Sequence, residues 1–310
     1  MNMNSIPILD IGRFESDRDA FINEFRDAYQ EWGFAGISGH KLDQGLIQSA
    51  WVAAEKFFAL PTHIKLKYEG VEKDRSRGYI PFGVEKAKDS KHSDLKEFYH
   101  IGHQVEDAVH LAPNIWPAEV TEFQATFEAL YQGLESLALR VLSIFAAVLE
   151  LPADYFDSRV RAGETLLRVL HYPPIIDQDI PNLRAAAHED INLITLLSGS
   201  EQDGLEVLSR QGEWVPINMI EGTIICNVGD MLQRLTNQKL PSTTHRVVNP
   251  QGDRARVSRY SIPFFVHPSP EVSLDSLASC VDQQNPKQFE STTAGEYLEQ
   301  RLQEIGLLKV

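Results

Sequence analysis

Ala187-His188-Glu189-Asp190-Ile191-Asn192-Leu193, just past the middle of the chain, reads as a β-strand carrying two metal-binding side chains. Successive side chains of a strand point to opposite faces. The period of two therefore sets His188, Asp190 and Asn192 on one face and Ile191 and Leu193 on the other. An imidazole nitrogen and a carboxylate oxygen on one face need one more imidazole to make a two-histidine, one-carboxylate set, which leaves positions open on iron(II). His245, in Ser242-Thr243-Thr244-His245-Arg246-Val247, follows after enough chain for several strands to bring it alongside. Asn192 is then a support for the ligands or a substrate contact rather than a ligand itself.

Working outward from this stretch, short apolar runs separated by Gly, Pro, Asn and Asp occupy 165–171, 190–197, 204–208, 213–217, 223–228, 243–248 and 256–266. These predict strands. Upstream the texture is helical: Phe21, Phe25, Ala28, Tyr29 and Trp32 recur at helical spacing up to Gly33, and Ile47, Trp51, Ala54, Phe57 and Phe58 recur up to Leu60-Pro61. Residues Phe123 to Val148 form one long amphipathic pattern, and a last helix is expected around 294–306. Residues 69 to 97 are polar and charged, which predicts a long surface excursion. Strands following a mainly helical half predict an α+β chain with a mainly β core, a barrel or sandwich supported by helices. The division is a helix-rich region at 1–160, not independent, and a core with a C-terminal helix at 161–310.

Composition narrows the function classes. The chain has 310 residues, 43% hydrophobic and 24% charged, with no apolar run long enough for a membrane helix. Its 44 acidic against 29 basic residues give a formal charge of −15, which repels a phosphate backbone and argues against nucleic acid. Cys226 and Cys280, only two and far apart, suit a reducing compartment. The N-terminus shows neither secretory nor transit features, so a cytoplasmic location is expected.

Arg259-Tyr260-Ser261-Ile262-Pro263-Phe264-Phe265 lies on the last predicted strand, with Arg259 and Ser261 sharing a face. A guanidinium fork beside a hydroxyl is suited to gripping a carboxylate. Arg256-Val257-Ser258 is a second Arg-x-Ser at an odd offset, so only one pair can point inward. Spacing alone leaves open which pair it is.

These features together resemble the iron(II)/2-oxoglutarate oxygenases, in particular the subgroup that includes isopenicillin N synthase and the plant flavonoid and gibberellin oxygenases. The resemblance spans nearly the whole chain, through Trp32-Gly33-Phe34, Phe57-Phe58-Ala59-Leu60-Pro61, Arg77-Gly78-Tyr79, Tyr172-Pro173-Pro174, His188-Glu189-Asp190, Asn227-Val228-Gly229-Asp230 and His245-Arg246-Val247. It implies a double-stranded β-helix (jelly roll) with iron(II) on His188, Asp190 and His245. It also implies 2-oxoglutarate held by Arg259 and Ser261, and Tyr172 near the co-substrate or packed at the barrel rim. Leu170 stands where many plant members have asparagine. The implied activity is oxidation by dioxygen, with hydroxylation of a small organic substrate as the default and release of succinate and CO2. Two alternatives are an oxidase or cyclase that uses O2 without 2-oxoglutarate, and a non-catalytic metal-binding jelly roll. Arg75, Arg77 and Tyr79 stand either at a substrate entrance or in a solvated loop. His100, His103 and His171 are read as ordinary hydrogen-bonded histidines.

Overall fold

The computed structural model describes residues 5–70, 76–85, 93–105, 111–176, 182–198, 204–218, 220–304 and 308. Arg75 and the last two residues of the expected C-terminal helix fall outside them. Two sheets face each other. The strands are β1 (Ile8–Asp10), β2 (Phe34–Ser38), β3 (Gly78–Ile80), β4 (Glu97–Gly102), β5 (Leu166–Tyr172), β6 (Ala185–His188), β7 (Ile194–Ser198), β8 (Leu205–Leu208), β9 (Trp214–Pro216), β10 (Ile224–Val228), β11 (His245–Val247) and β12 (Arg259–Val266). One sheet runs β1-β2-β10-β7-β12-β5-β4-β3 and the other β6-β11-β8-β9, antiparallel except for the β1/β2 pair.

The helices are α1 (Arg13–Ser16), α2 (Arg18–Trp32), α3 (Gln44–Phe58), α4 (Thr62–Lys65), α5 (Phe123–Val148), α6 (Asp157–Val160), α7 (Asp230–Leu235) and α8 (Ala294–Glu304). The apolar stripes of α2, α3 and α5 pack on the outer face of the large sheet, where Ile194, Leu196, Ile224, Cys226, Ile262 and Phe264 complete the main core. Alternation then turns Phe34, Ile225, Thr195, Ser261 and Arg259 toward the small sheet, with a second apolar cluster of Trp32, Phe34, Leu205, Val207, Val215, Ile217 and Ile225 between them. This is the expected jelly roll with supporting helices. The N-terminal strands are part of it, because β1 and β2 continue the large sheet beside β10, and β3 and β4 continue it beside β5.

The 69–97 excursion is a correction. Within it β3 is buried, as are Glu85, Asp94 and Lys96, and β4 follows directly. Polar residues there face each other inside the molecule as ion pairs, so polarity does not report exposure. No described helix is long and apolar enough to cross a membrane.

Candidate metal and co-substrate site

His188 is the last residue of β6, and Asp190 lies in the link to β7 rather than on the same strand. The shared-face expectation from a period of two is therefore corrected. The two side chains converge because the chain crosses between the sheets at 189–193. That link is anchored from outside: the N–H groups of Gly229, Asp230 and Met231 donate to the carbonyls of Leu193 (2.9 Å), Asp190 (2.7 Å) and Asn192 (3.0 Å). A Cβ on Gly229 would lie 2.3 Å from the Asn192 carbonyl, so the contact requires glycine at this position. Gly33 plays a similar part for the third residue. It ends α2 at φ 63 and lets the chain before His245 approach, since a Cβ there would meet Pro241 O at 2.5 Å. Thr243 Oγ1 then bonds Trp32 O, and the Phe34 ring packs edge-on to His245.

His245 pairs with His188 across β11 and β6, with ring centroids 4.3 Å apart. One atom from each of His188, Asp190 and His245 lies within 4.8 Å of the others. Each histidine Nδ1 meets a backbone carbonyl, Ala186 O at 2.8 Å and Thr243 O at 3.1 Å. Because a carbonyl only accepts, each Nδ1 carries a proton, and Nε2 is the nitrogen whose lone pair each ring presents when neutral. Those lone pairs stand 3.9 and 3.8 Å from Asp190 Oδ1. Asp190 Oδ2 is occupied by Thr195 Oγ1 (2.5 Å) and Asn227 Nδ2 (2.8 Å). Burial, and then His245, lowers the His188 pKa and so favours the neutral ring. Burial alone would raise Asp190, but the two histidines and the Asn227 and Thr195 bonds outweigh it and hold the carboxyl below its usual range. Two imidazoles and one carboxylate form a donor set that fits iron(II).

Arg259 and Ser261 are buried on the inner face of β12, opposite Tyr172 and Leu170 of β5. Arg259 Nε and Nη1 are buried with no hydrogen-bond partner among the described residues. Unpaired guanidinium donors in a closed pocket are costly unless an anion meets them, so the pocket fits a carboxylate such as that of 2-oxoglutarate. The Tyr172 ring centroid is 5.0 Å from the Arg259 guanidinium carbon and 5.9 Å from that of Arg184. Arg184 is fully buried, and burial followed by Arg259 lowers its pKa to about 10. The earlier Arg-x-Ser points elsewhere: Arg256 is exposed at the end of a 3-10 turn, and Ser258 Oγ bonds His171 Nε2 at 3.0 Å.

Other expected residues have different surroundings. Asn192 donates to Ile194 O and to Thr195 Oγ1 (3.0 Å), so it supports the hydroxyl that holds Asp190. Arg77 and Tyr79 do not line an entrance, which corrects that reading. Arg77 is buried with its guanidinium on the carbonyls of Ser76, His103 and Ala112, and Tyr79 sits in the main core with its hydroxyl on Glu97. His171 bridges Glu97 and Ser258, His103 meets Glu135, and His100 accepts from Arg168. Thr195, Asn227 and Arg184 were not anticipated as parts of the site. Arg184 lies immediately before β6, an even number of residues from His188, where continued alternation would have pointed to it.

Residues 163–268 match the family model for the 2OG-Fe(II) oxygenase superfamily, and residues 6–119 match that described as non-haem dioxygenase in morphine synthesis N-terminal. The 2-oxoglutarate-Fe(II) type oxidoreductase hxnY of Emericella nidulans is 32% identical over 292 residues, covering 88% of this chain and 82% of its own. The chain belongs to the 2OG-Fe(II) oxygenase superfamily. A 2OG-Fe(II) oxygenase family protein from Caulobacter crescentus shares the fold at TM-score 0.89 and 45% identity, over 98% of this chain and 100% of that one. A full-length Neurospora crassa protein crystallised in complex with alpha-KG matches at TM-score 0.87 and 29% identity, over 98% and 97% of the two chains. This oxygenase is accordingly an oxidoreductase whose cofactors are iron(II) and 2-oxoglutarate. The readings without 2-oxoglutarate or without catalysis are set aside.

Proposed function

We propose that His188, Asp190 and His245 hold the iron, that Arg259 and Ser261 bind the distal carboxylate of 2-oxoglutarate beside Tyr172, and that the enzyme hydroxylates a small organic molecule. Bound iron(II) and 2-oxoglutarate supply dioxygen activation, with succinate and CO2 as co-products. The protein's own contribution is orientation. The Ala186 and Thr243 carbonyls fix the imidazole rings, and Thr195 and Asn227 fix the carboxylate. Arg259 sets the direction of the co-substrate. The observation that carries the assignment is that three lone pairs converge while every other polar atom of the three side chains is already bonded. The Neurospora crassa protein has also been crystallised with thymine, and a 34% identical relative from Petromyces alliaceus is named a proline hydroxylase, which supports a small-molecule substrate here. The net charge argues against a nucleic-acid partner, and two cysteines far apart, both buried and free, suit the reducing compartment of a cytoplasmic enzyme.

Anaerobic calorimetry tests the assignment. His188→Ala and His245→Ala should abolish iron(II) binding. Arg259→Met should weaken 2-oxoglutarate binding roughly ten- to a hundredfold, the worth of charge-assisted hydrogen bonds, at unchanged metal affinity. Wild-type 2-oxoglutarate affinity in Arg259→Met would remove the co-substrate assignment.

A further inference from the structure

The two imidazoles are not carried equally well by the small sheet. His245 lies on β11, which is inside that sheet and pairs regularly with β8, setting His245, Arg246 and Val247 opposite Val207, Glu206 and Leu205. His188 ends β6, which is an edge strand. Its pairing with β11 joins His188 to His245 and Ala185 to Val247, and the register slips between those two pairs. On its other side, Asp94 Oδ1 accepts from the Ala186 N–H at 3.1 Å, two residues before the ligand. The backbone anchors of the following link begin only at Asp190.

Glu189 stands in that gap. Continuing the register one step beyond His188 and His245 sets Glu189 opposite Thr244, and there the Thr244 hydroxyl donates to the Glu189 carboxylate. Thr244 is itself fixed from β8, because its carbonyl accepts the Leu208 N–H at 2.9 Å. Neighbouring side chains of a strand point to opposite faces, so the bond stands behind the imidazoles and takes up none of their ligand atoms. It ties the loosely paired edge strand to the well-paired one at the point where the ladder stops.

Ligand atoms that converge on a cation gain nothing from one another before it arrives, so the frame has to hold them together. A slipped ladder ending at the ligand pair is a weak frame, and a charge-assisted cross-strand bond one step further strengthens it. We propose that Glu189 and Thr244 are a positioning pair, whose hydrogen bond closes the open end of the β6–β11 ladder and keeps His188 and His245 at metal-binding separation. This rests on the assignment of His188, Asp190 and His245 to the metal.

Anaerobic iron(II) titration tests the pair. Glu189→Ala and Thr244→Val should each weaken iron(II) binding roughly five- to tenfold, near the lower end of what partners of metal ligands contribute, because both side chains are only half-buried. The double variant Glu189→Ala/Thr244→Val should bind within about twofold of either single one, since the same bond is lost only once. Thr244→Ser still donates and Glu189→Gln still accepts, so each should stay within about twofold of wild type. Metal-saturated Thr244→Val should bind 2-oxoglutarate as the wild type does, which also shows that it is folded. Losses that multiply in the double variant, a Glu189→Gln protein as weak as Glu189→Ala, or wild-type affinity in Thr244→Val overturns the proposal. Failure of the metal assignment shows separately, as iron(II) binding that survives His188→Ala.

Discussion

Replacing Thr195 by valine removes one hydroxyl and keeps the shape of the side chain. Asp190 Oδ2 then retains the Asn227 bond and loses the 2.5 Å bond from Thr195. Asn192 loses one acceptor and keeps the Ile194 carbonyl at 2.9 Å, so the perturbation centres on the carboxylate. A hydrogen bond to a charged group is worth about 1.5–3 kcal/mol, which at about 1.4 kcal/mol per decade is roughly ten- to 150-fold. Outer partners of metal ligands typically contribute about 10–100-fold to affinity, so the two magnitudes agree. The expected outcome is a metal dissociation constant raised at least tenfold in Thr195→Val, restored largely by Thr195→Ser. Metal-saturated protein should bind 2-oxoglutarate normally. The assay is anaerobic titration with iron(II), with thermal melts as the folding control. A folded Thr195→Val protein binding metal within twofold of wild type would refute the claim that the protein, rather than the ion, orients Asp190.

Burial alone would raise the Glu85 pKa, but Arg168 and Lys96 outweigh it and hold the carboxyl well below the usual range. A depressed pKa stabilises the fold above the unfolded-state value near 4.5 and loses that contribution as pH falls toward the folded value. Glu85→Gln should therefore cost up to about 3–5 kcal/mol at pH 7, and denaturation curves should show the gap to wild type narrowing only below about pH 4.5. Tyr297 donates to Asp230 at 3.0 Å, and the Asp230 N–H in turn holds the Asp190 carbonyl. Tyr297→Phe should lower the melting temperature by a cost of about 1.5–3 kcal/mol and weaken metal binding, whereas unchanged metal affinity would show the C-terminal helix to be uncoupled from the site. Cys226 and Cys280 are both buried, and burial pushes the Cys226 thiol up to about 12. Neither should react with a thiol reagent until the protein unfolds, and stoichiometric labelling of the native enzyme would contradict their burial.

The residues proposed for the metal and the co-substrate were legible as candidates because each sits in a short local pattern: His188-Glu189-Asp190, His245-Arg246-Val247 and Arg259-x-Ser261. Strand periodicity explains the first pattern only in part. Its geometry comes from a sheet-to-sheet crossing anchored by Gly229, Asp230 and Met231, contacts between residues distant in the chain that periodicity does not record. Strands β3 and β4 were not anticipated for the opposite reason. Lys96, Glu97 and His100 look like solvent-facing polar residues until Glu85, Lys65 and Arg168 are seen to pair with them inside. Asn227 stands in a motif of the family resemblance, Asn227-Val228-Gly229-Asp230, that assigned it no role, and Thr195 carries no signal beyond alternation, since an inward polar residue in a strand has the same spacing whether or not it meets a ligand.

The position of β12 has a consequence for how the enzyme is made. This strand lies between β7 and β5 in the middle of the large sheet, yet comes late in the chain. A nascent chain that has already emerged through His245 has all three candidate metal ligands but a slot where the central strand belongs, with unpaired edges facing it on both sides. Such edges invite pairing with other chains, and non-local closure is slow. Arg259 therefore arrives on the keystone, and the polypeptide gains its proposed grip on 2-oxoglutarate in the same step that seals its sheet.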